Sequence, residues 1–592
     1  MAMTNMDTLA GEFQLIWQEG SHWQGKLEKE ILAEGVEEIT LSLSGETAEV
    51  PTVVEVRMYI PQRDIYCRWS TYSTQVLRPN WSDRLSSCLT RHAPTFTLLG
   101  KDGNNRFTLS CSEASREVVF SSGLREEDSV LECYFKIFTF AEAPLKDYTA
   151  KIRIDARNIF YADAVRESFD WFATFDAYKP AVAPAASRDL LYSSWYSYHK
   201  QGLYAETIEK QILEAKKYGM KTLIVDDGWQ CDNYDGGSYA YCGDWEPVER
   251  RFPDMAAHVK KVHDAGFKYI LWYSVPFMGQ NAKLFKHFEG KYLANVSNGL
   301  GAYVLDPRFP DVREYLINTY EHAMKEWDLD GFKLDFIDSF GYIKTDPAVE
   351  QDYAGRDCKT VAEGVDKLMT AVMERLRAIK SDVLIEFRQS YMGPGIRKFG
   401  NIIRAGDCPS DCWSNRSRTT DLRLSSGNTT VHSDMLSWNY NESAESAARQ
   451  FIAILFSVPQ ISVRLEEIPE SHQKMLKFWC EYWLENRSVL LDGYFKPCAP
   501  ELLYPLILSE KDGKVIAAVH SREIAADLHD SKAEAFDIVN GTDTEELIVD
   551  LPAATEGITK NVFGETVEKI TLPAGLSRVR IPVSGILMLK KR

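Results

Sequence analysis

Asp311-Val312-Arg313-Glu314-Tyr315-Leu316 opens a stretch that runs to Trp327 and leads, four residues later, into Gly331-Phe332-Lys333-Leu334-Asp335. Val312, Leu316, Ala323 and Trp327 fall on one stripe at helical spacing, so an amphipathic helix is expected there. The short apolar run behind it, ending in a carboxylate, reads as a buried strand. The same unit recurs on both sides. Tyr204, Ile208, Ile212 and Ala215 share a helical face that ends at Gly219, a C-cap residue, and Thr222-Leu223-Ile224-Val225 follows. Val361, Val365, Leu368, Val372, Leu376 and Ile379 form a third stripe, running into Val383-Leu384-Ile385-Glu386-Phe387.

Strand-like runs fall near 190–197, 222–229, 268–275, 331–338, 383–390, 401–408, 430–438 and 460–465. Eight such units separated by helices predict a (β/α)8 barrel. A doubly wound sheet would usually carry a phosphate-binding glycine loop after its first strand; Gly393-Pro394-Gly395 lacks that spacing. Before the barrel, alternating runs such as Thr52 to Tyr59 and Cys133 to Phe138 predict a β-sandwich. Lys179-Pro180-Ala181-Val182-Ala183-Pro184-Ala185-Ala186-Ser187 reads as a linker. After about 497, runs such as Ala535 to Val539 and Gly585 to Leu589 signal a small C-terminal β-sandwich. The expected division is 1–180, 188–492 and 497–592, a multidomain chain.

Composition bounds the partners. The 592-residue chain carries a net charge of −18 with a pI near 5.2. Such a surface repels phosphate backbones and anionic lipid, so neither nucleic acid nor membrane is expected as a partner. No stretch reaches the roughly 18 uninterrupted apolar residues of a membrane span, and the N-terminus lacks a signal pattern. A cytoplasmic protein with reduced thiols is the expectation, and a homo-oligomer stays open.

Barrel enzymes place their reacting groups at the C-terminal ends of the strands. Here those ends read Asp226-Asp227-Gly228-Trp229, Lys333-Leu334-Asp335 and Arg404-Ala405-Gly406-Asp407. A lone aspartate there is as often a turn former; three such ends together suggest a site. Paired carboxylates are what cleavage of a glycosidic bond requires, one ionised to attack and one protonated to release the leaving oxygen. Lys333 shares a strand face with Asp335 and would favour its ionised form. Arg404, at an odd offset from Asp407, faces away from it on an ideal strand.

These segments together resemble glycoside hydrolase family 36 and its clan, the α-galactosidases and raffinose-synthase-like proteins. Ile224-Val225-Asp226-Asp227-Gly228-Trp229 is similar to the family's Asp-Asp-Gly-Trp strand end. Gly243-Asp244-Trp245 with Arg251-Phe252-Pro253 resembles its aromatic-bearing segment, and Gly266 to Trp272 its third strand. Leu305-Asp306-Pro307 through Asp335 is similar to the approach to the nucleophile, and Arg404-Ala405-Gly406-Asp407 to the acid/base segment. The resemblance covers roughly residues 190 to 465. It implies a retaining enzyme, with Asp335 as nucleophile and Asp407 as acid/base, acting on an oligosaccharide or glycoside with neither metal nor organic cofactor. Asp226, Asp227, Trp229, Trp245, Trp272, Lys333, Arg388, Arg404 and Asp434 are the expected substrate-binding residues.

The sequence departs from that family in two places. Glu386-Phe387-Arg388-Gln389-Ser390 replaces the Cys-Ser-Gly-Gly-Gly-Gly loop that reads the sugar 2-position. Ser274-Val275-Pro276-Phe277-Met278 stands for Glu-Pro-Glu after the third strand. The 2-substituent therefore stays open, an N-acetylgalactosaminidase or a transglycosylase being the alternatives, and a non-catalytic sugar-binding barrel the alternative of another class. Asp411 rivals Asp407 as acid/base. On the seventh strand His432, Asp434 and Trp438 read as pocket residues, His432 equally as a packed, hydrogen-bonded core residue. Asp226, Asp227, Asp335 and Asp338 as a Mg²⁺ or Ca²⁺ site is a minor reading, and Cys408 with Cys412 lacks a second ligand pair.

Overall fold

The computed structural model describes residues 1–73, 84–140, 142–232, 238–293, 299–341 and 355–592. Its N-terminal part stacks two six-stranded antiparallel sheets. Strand residues alternate between faces: along Val130–Ile137, every second side chain turns inward. The inward set, including Leu15, Leu41, Val56, Phe96, Phe120 and Phe135, forms one buried core between the sheets. Each fully buried aliphatic or aromatic side chain of this kind contributes about 1.5–3 kcal/mol relative to exposure. The helix Tyr161–Phe172 then packs against this sandwich and against a later barrel helix, Cys412–Ser425.

The eight anticipated strands form one parallel sheet: Leu191–Ser193, Thr222–Val225, Lys268–Ser274, Gly331–Asp335, Leu384–Arg388, Ile402–Arg404, Thr430–His432 and Gln460–Ile461. Neighbours in sequence are neighbours in the sheet, and the last strand pairs with the first. Parallel bridges between His432 and Val458 and between Leu436 and Ile461 join the seventh strand to the eighth, closing the barrel. The stripe helix spans Pro310–Trp327 and buries Val312, Leu316 and Ala323. Pro310 sits in its first turn, where the missing N–H costs nothing.

Two details of the barrel bear on the site. Its lower end is apolar, with Leu191, Ile224, Ile270, Leu384 and Ile402 forming a separate buried cluster against which Ala186 packs. The stretch read as a linker is thus docked under the barrel. Ala181 N–H donates to the Arg397 carbonyl at 2.7 Å, and the Ser187 carbonyl meets His432 Nε2 at 2.7 Å. Beyond the long helix Glu470–Asp492, a seven-stranded and a three-stranded sheet share a core of residues such as Ile538, Leu589, Leu547 and Val549. All eleven cysteines are free thiols. Among the described residues, no helix is long and apolar enough to cross a membrane.

Candidate active site

Asp335 ends the fourth strand and is 8% exposed. Its Oδ1 accepts from Arg388 Nε at 3.0 Å, from the Phe336 backbone N–H at 2.8 Å and from the Tyr391 hydroxyl. Its Oδ2 accepts from the Trp272 indole at 3.1 Å. The cation beside Asp335 is therefore Arg388, from the end of the neighbouring fifth strand. Lys333 does share the inward face, as strand alternation requires, but its ammonium is paired with Asp226 Oδ2, and both are buried.

Asp226 and Asp227 lie just past the second strand. Asp227 accepts from Gln230 Nε2 at 2.8 Å and Ser238 Oγ at 3.1 Å, with Lys200 Nζ at 3.8 Å. Burial, helped by the Asp226 charge beside it, pushes the Asp227 carboxyl above the usual carboxylate range. The chain makes this bend only because residue 228 is glycine. Its φ is +121°, and a Cβ there would lie 2.6 Å from the Lys200 Cα.

Asp407 lies beyond the sixth strand, its side chain 48% exposed. Arg404 donates to its Oδ1 from Nη2 at 2.8 Å. The parity argument fails here because the strand stops at Arg404 and the following residues turn over the mouth. Arg404 itself is buried; its Nη1 donates to Asp434 Oδ1, and its Nε lies 3.7 Å from Glu386 Oε1. Asp434 in turn accepts the Cys408 N–H at 2.6 Å and the Tyr196 hydroxyl at 3.0 Å. Partial burial would push the Asp407 carboxyl up, but Arg404, Arg388 and Lys333 together hold it well below the ordinary range.

The remaining sequence candidates divide. Asp411 caps the helix Cys412–Ser425, accepting the Trp413 and Ser414 N–H groups at 3.1 and 3.0 Å and the Ser414 hydroxyl at 2.6 Å. His432 is a packed core residue, its Nδ1 3.1 Å from Gln460 Nε2. Trp438 is likewise internal, donating to His472 Nδ1 at 3.1 Å. Trp229 is fully buried and donates its indole N–H to the Trp272 carbonyl at 2.9 Å, with Trp245 stacked at 6.2 Å. It supports Trp272 from behind. Among the described residues, no group of three His, Cys, Asp or Glu is placed to hold a metal ion. One oxygen of Asp226 faces the Lys333 ammonium, an arrangement unlike a cation site. Tyr391, Tyr196, Lys200 and Gln230 are the partners that strand-end reasoning missed, because all four sit on connecting segments.

The arrangement is thus a closed parallel barrel between two β-structures, with carboxylates and cations gathered at the C-terminal ends of its strands. Residues 183–390 match the family model described as Melibiase. Alpha-galactosidase 1 of Pediococcus pentosaceus is 30% identical over 128 residues, 21% of this chain and 17% of that protein. Alpha-galactosidase Mel36A of Lactobacillus acidophilus is 29% identical over 157 residues, 25% of this chain and 20% of that protein. The matched stretch therefore spans about a fifth of those relatives' length. The whole fold is similar to the crystal structure of the GH36 alpha-galactosidase AgaA from Geobacillus stearothermophilus. That similarity has a TM-score of 0.65 at 14% identity, covering 98% of this chain and 82% of that one.

Proposed function

We propose that this protein is a retaining α-glycosidase that removes terminal, non-reducing α-galactosyl groups from oligosaccharides or glycosides. In this reading Asp335 attacks the anomeric carbon through Oδ2, the oxygen carrying one donor against three on Oδ1. The anomeric C–O bond breaks as the Asp335–carbon bond forms, and the leaving oxygen takes a proton from Asp407. Asp407 then removes a proton from water, which displaces Asp335, leaving Asp335 a carboxylate and Asp407 protonated as at the start. The observation that carries the reading is the placement of these two aspartates at one barrel mouth, each paired with its own arginine.

Arg388 and Arg404 also define what substrate binding must change. The free site holds Asp407 ionised, the form suited to the second step. For the first step it must gain a proton, and covering it with a sugar raises its proton affinity by removing water. Asp226, Asp227 and Lys333 are assigned to the galactosyl hydroxyls, and Trp272 and Trp245 to the pocket wall.

A panel of aryl α-glycosides differing only in the sugar tests the specificity. The α-galactoside should turn over fastest; faster turnover of the N-acetylgalactosaminide would reassign the 2-substituent. Asp335→Asn should lose turnover, with azide giving the β-glycosyl azide. Full activity in that variant would remove the basis of the mechanism.

A further inference from the structure

Away from the barrel mouth, a cavity of about 380 Å³ lies between the helices Cys412–Ser425 and Ala444–Ala453 and the C-terminal β-structure. Its volume lies within the usual range for small-molecule sites. Three guanidinium side chains line it, Arg416, Arg449 and Arg522, with His520 and Trp413. Among the described residues, none of the three arginines has a carboxylate at ion-pair distance, although Glu523 and Asp543 also line the cavity.

Arg416 is the unusual member. It is 3% exposed, and its Nε donates to the Leu503 carbonyl at 2.9 Å, which fixes the guanidinium without neutralising it. Burial, which the charge of the nearby but unpaired Asp411 offsets only in part, pulls it down to about 10, and the same positive charge adds to the burial that holds His520 neutral. A buried cation costs several kcal/mol unless an anion accompanies it. Two other buried arginines have one, Arg153 with Asp155 and Arg404 with Asp434, whereas buried Arg397 donates to the Phe169 carbonyl. Beside Arg416, its Cζ 4.9 Å from the ring centroid, Trp413 is 54% exposed, a flat apolar face at the cavity rim. His520 Nε2 is buried with no hydrogen-bond partner.

The geometry points to a second ligand site: a pocket for a monosaccharide-sized oxyanion, a sugar phosphate or a sugar acid, held by Arg416, Arg449 and Arg522 with its ring against Trp413. The oxyanion supplies the counter-charge that the arginines lack, and Glu523 and Asp543 can accept hydroxyl hydrogens from a sugar. The site is independent of the mechanism at the barrel mouth, because nothing in it uses Asp335 or Asp407.

The test is calorimetric titration of the intact protein with glucose 6-phosphate and with glucuronate. Neutral glucose and inorganic phosphate are the controls. At least one charged sugar should bind saturably, at least tenfold tighter than either control; which of the two does so names the source of the oxyanion. Arg449→Gln and Arg522→Gln, both outside the buried Arg416 contact, should each weaken binding at least tenfold while aryl α-galactoside turnover stays at the wild-type level. Asp335→Asn should bind as the wild type does. No saturable binding, affinity no better than that of inorganic phosphate, indifference to both arginine variants, or loss of binding in Asp335→Asn would each overturn the proposal.

Discussion

Arg404 holds Asp407 at 2.8 Å with one guanidinium nitrogen while its other terminal nitrogen is paired with the fully buried Asp434. The half-exposed carboxylate at the mouth is thereby tied to the barrel interior through a single cation. Removing the inner partner isolates that charge. Asp434→Asn is expected to lower stability by about 3–5 kcal/mol, the usual cost of breaking a buried pair. Urea unfolding measures it, and a loss below about 1 kcal/mol would mean that Glu386 and Asp407 suffice for Arg404 without Asp434.

The same ion pair makes stability depend on pH in a defined direction. The Asp407 carboxyl is held below its unfolded value by Arg404, Arg388 and Lys333, which outweigh its partial burial. Its contribution is complete above about pH 4, the ordinary aspartate value, and is lost as pH falls through the depressed folded value. Melting temperatures of the wild type and Asp407→Asn should therefore converge as pH falls from 5 towards 2.5. A gap that stays constant over that interval contradicts the assignment.

Asp407 and Asp411 separate cleanly by mutation. Asp411→Ala removes a helix cap and should cost about 1 kcal/mol of stability with turnover nearly unchanged. Asp407→Asn should lower turnover of substrates with poor leaving groups by about 100-fold or more, and of activated aryl glycosides by less. Steady-state rates on two aryl galactosides decide it; the reverse pattern would transfer the acid/base role to Asp411.

Gly228→Ala tests the bend that sets Asp226 and Asp227. A methyl group at φ +121° would meet the Lys200 backbone at 2.6 Å, so no rotamer change relieves the clash. A loss of about 2–4 kcal/mol is expected from the combined strain and overpacking, with a raised KM in whatever folds. A wild-type melting temperature would show that the loop carrying Lys200 yields freely.

Much of this was readable in the sequence, for a physical reason. Strands buried on both faces must be continuous apolar runs, so all eight could be counted, and a polar residue ending such a run marks the mouth. That pattern puts Asp335, Asp226 and Asp407 at strand ends in the sequence, and the structure has all three at or just beyond those ends. Side-chain parity then worked where the strand continued and failed where it stopped: Lys333 faces inward, whereas Arg404 reaches Asp407 across a turn that parity does not govern. Lys333 also shows that sharing a face does not name a partner, since Asp226 from another strand binds it. Tyr391 was illegible because nothing local in Ser390-Tyr391-Met392 marks a hydroxyl that reaches Asp335. Trp229 lay inside a recognisable motif, yet the bend at Gly228 accompanies an indole set behind Trp272.

The docked segment under the barrel has an electrostatic consequence. Ala186 and the apolar cluster above it close the lower end, so the charged layer of Glu386, Arg404 and Asp434 rests on a base of low polarisability. Solvent can relax around those charges from one side only. Their field is therefore directed upward, towards the mouth, and is damped less there than it would be in a tube open at both ends. A connection that reads as a linker thus acts as an insulator for the site above it.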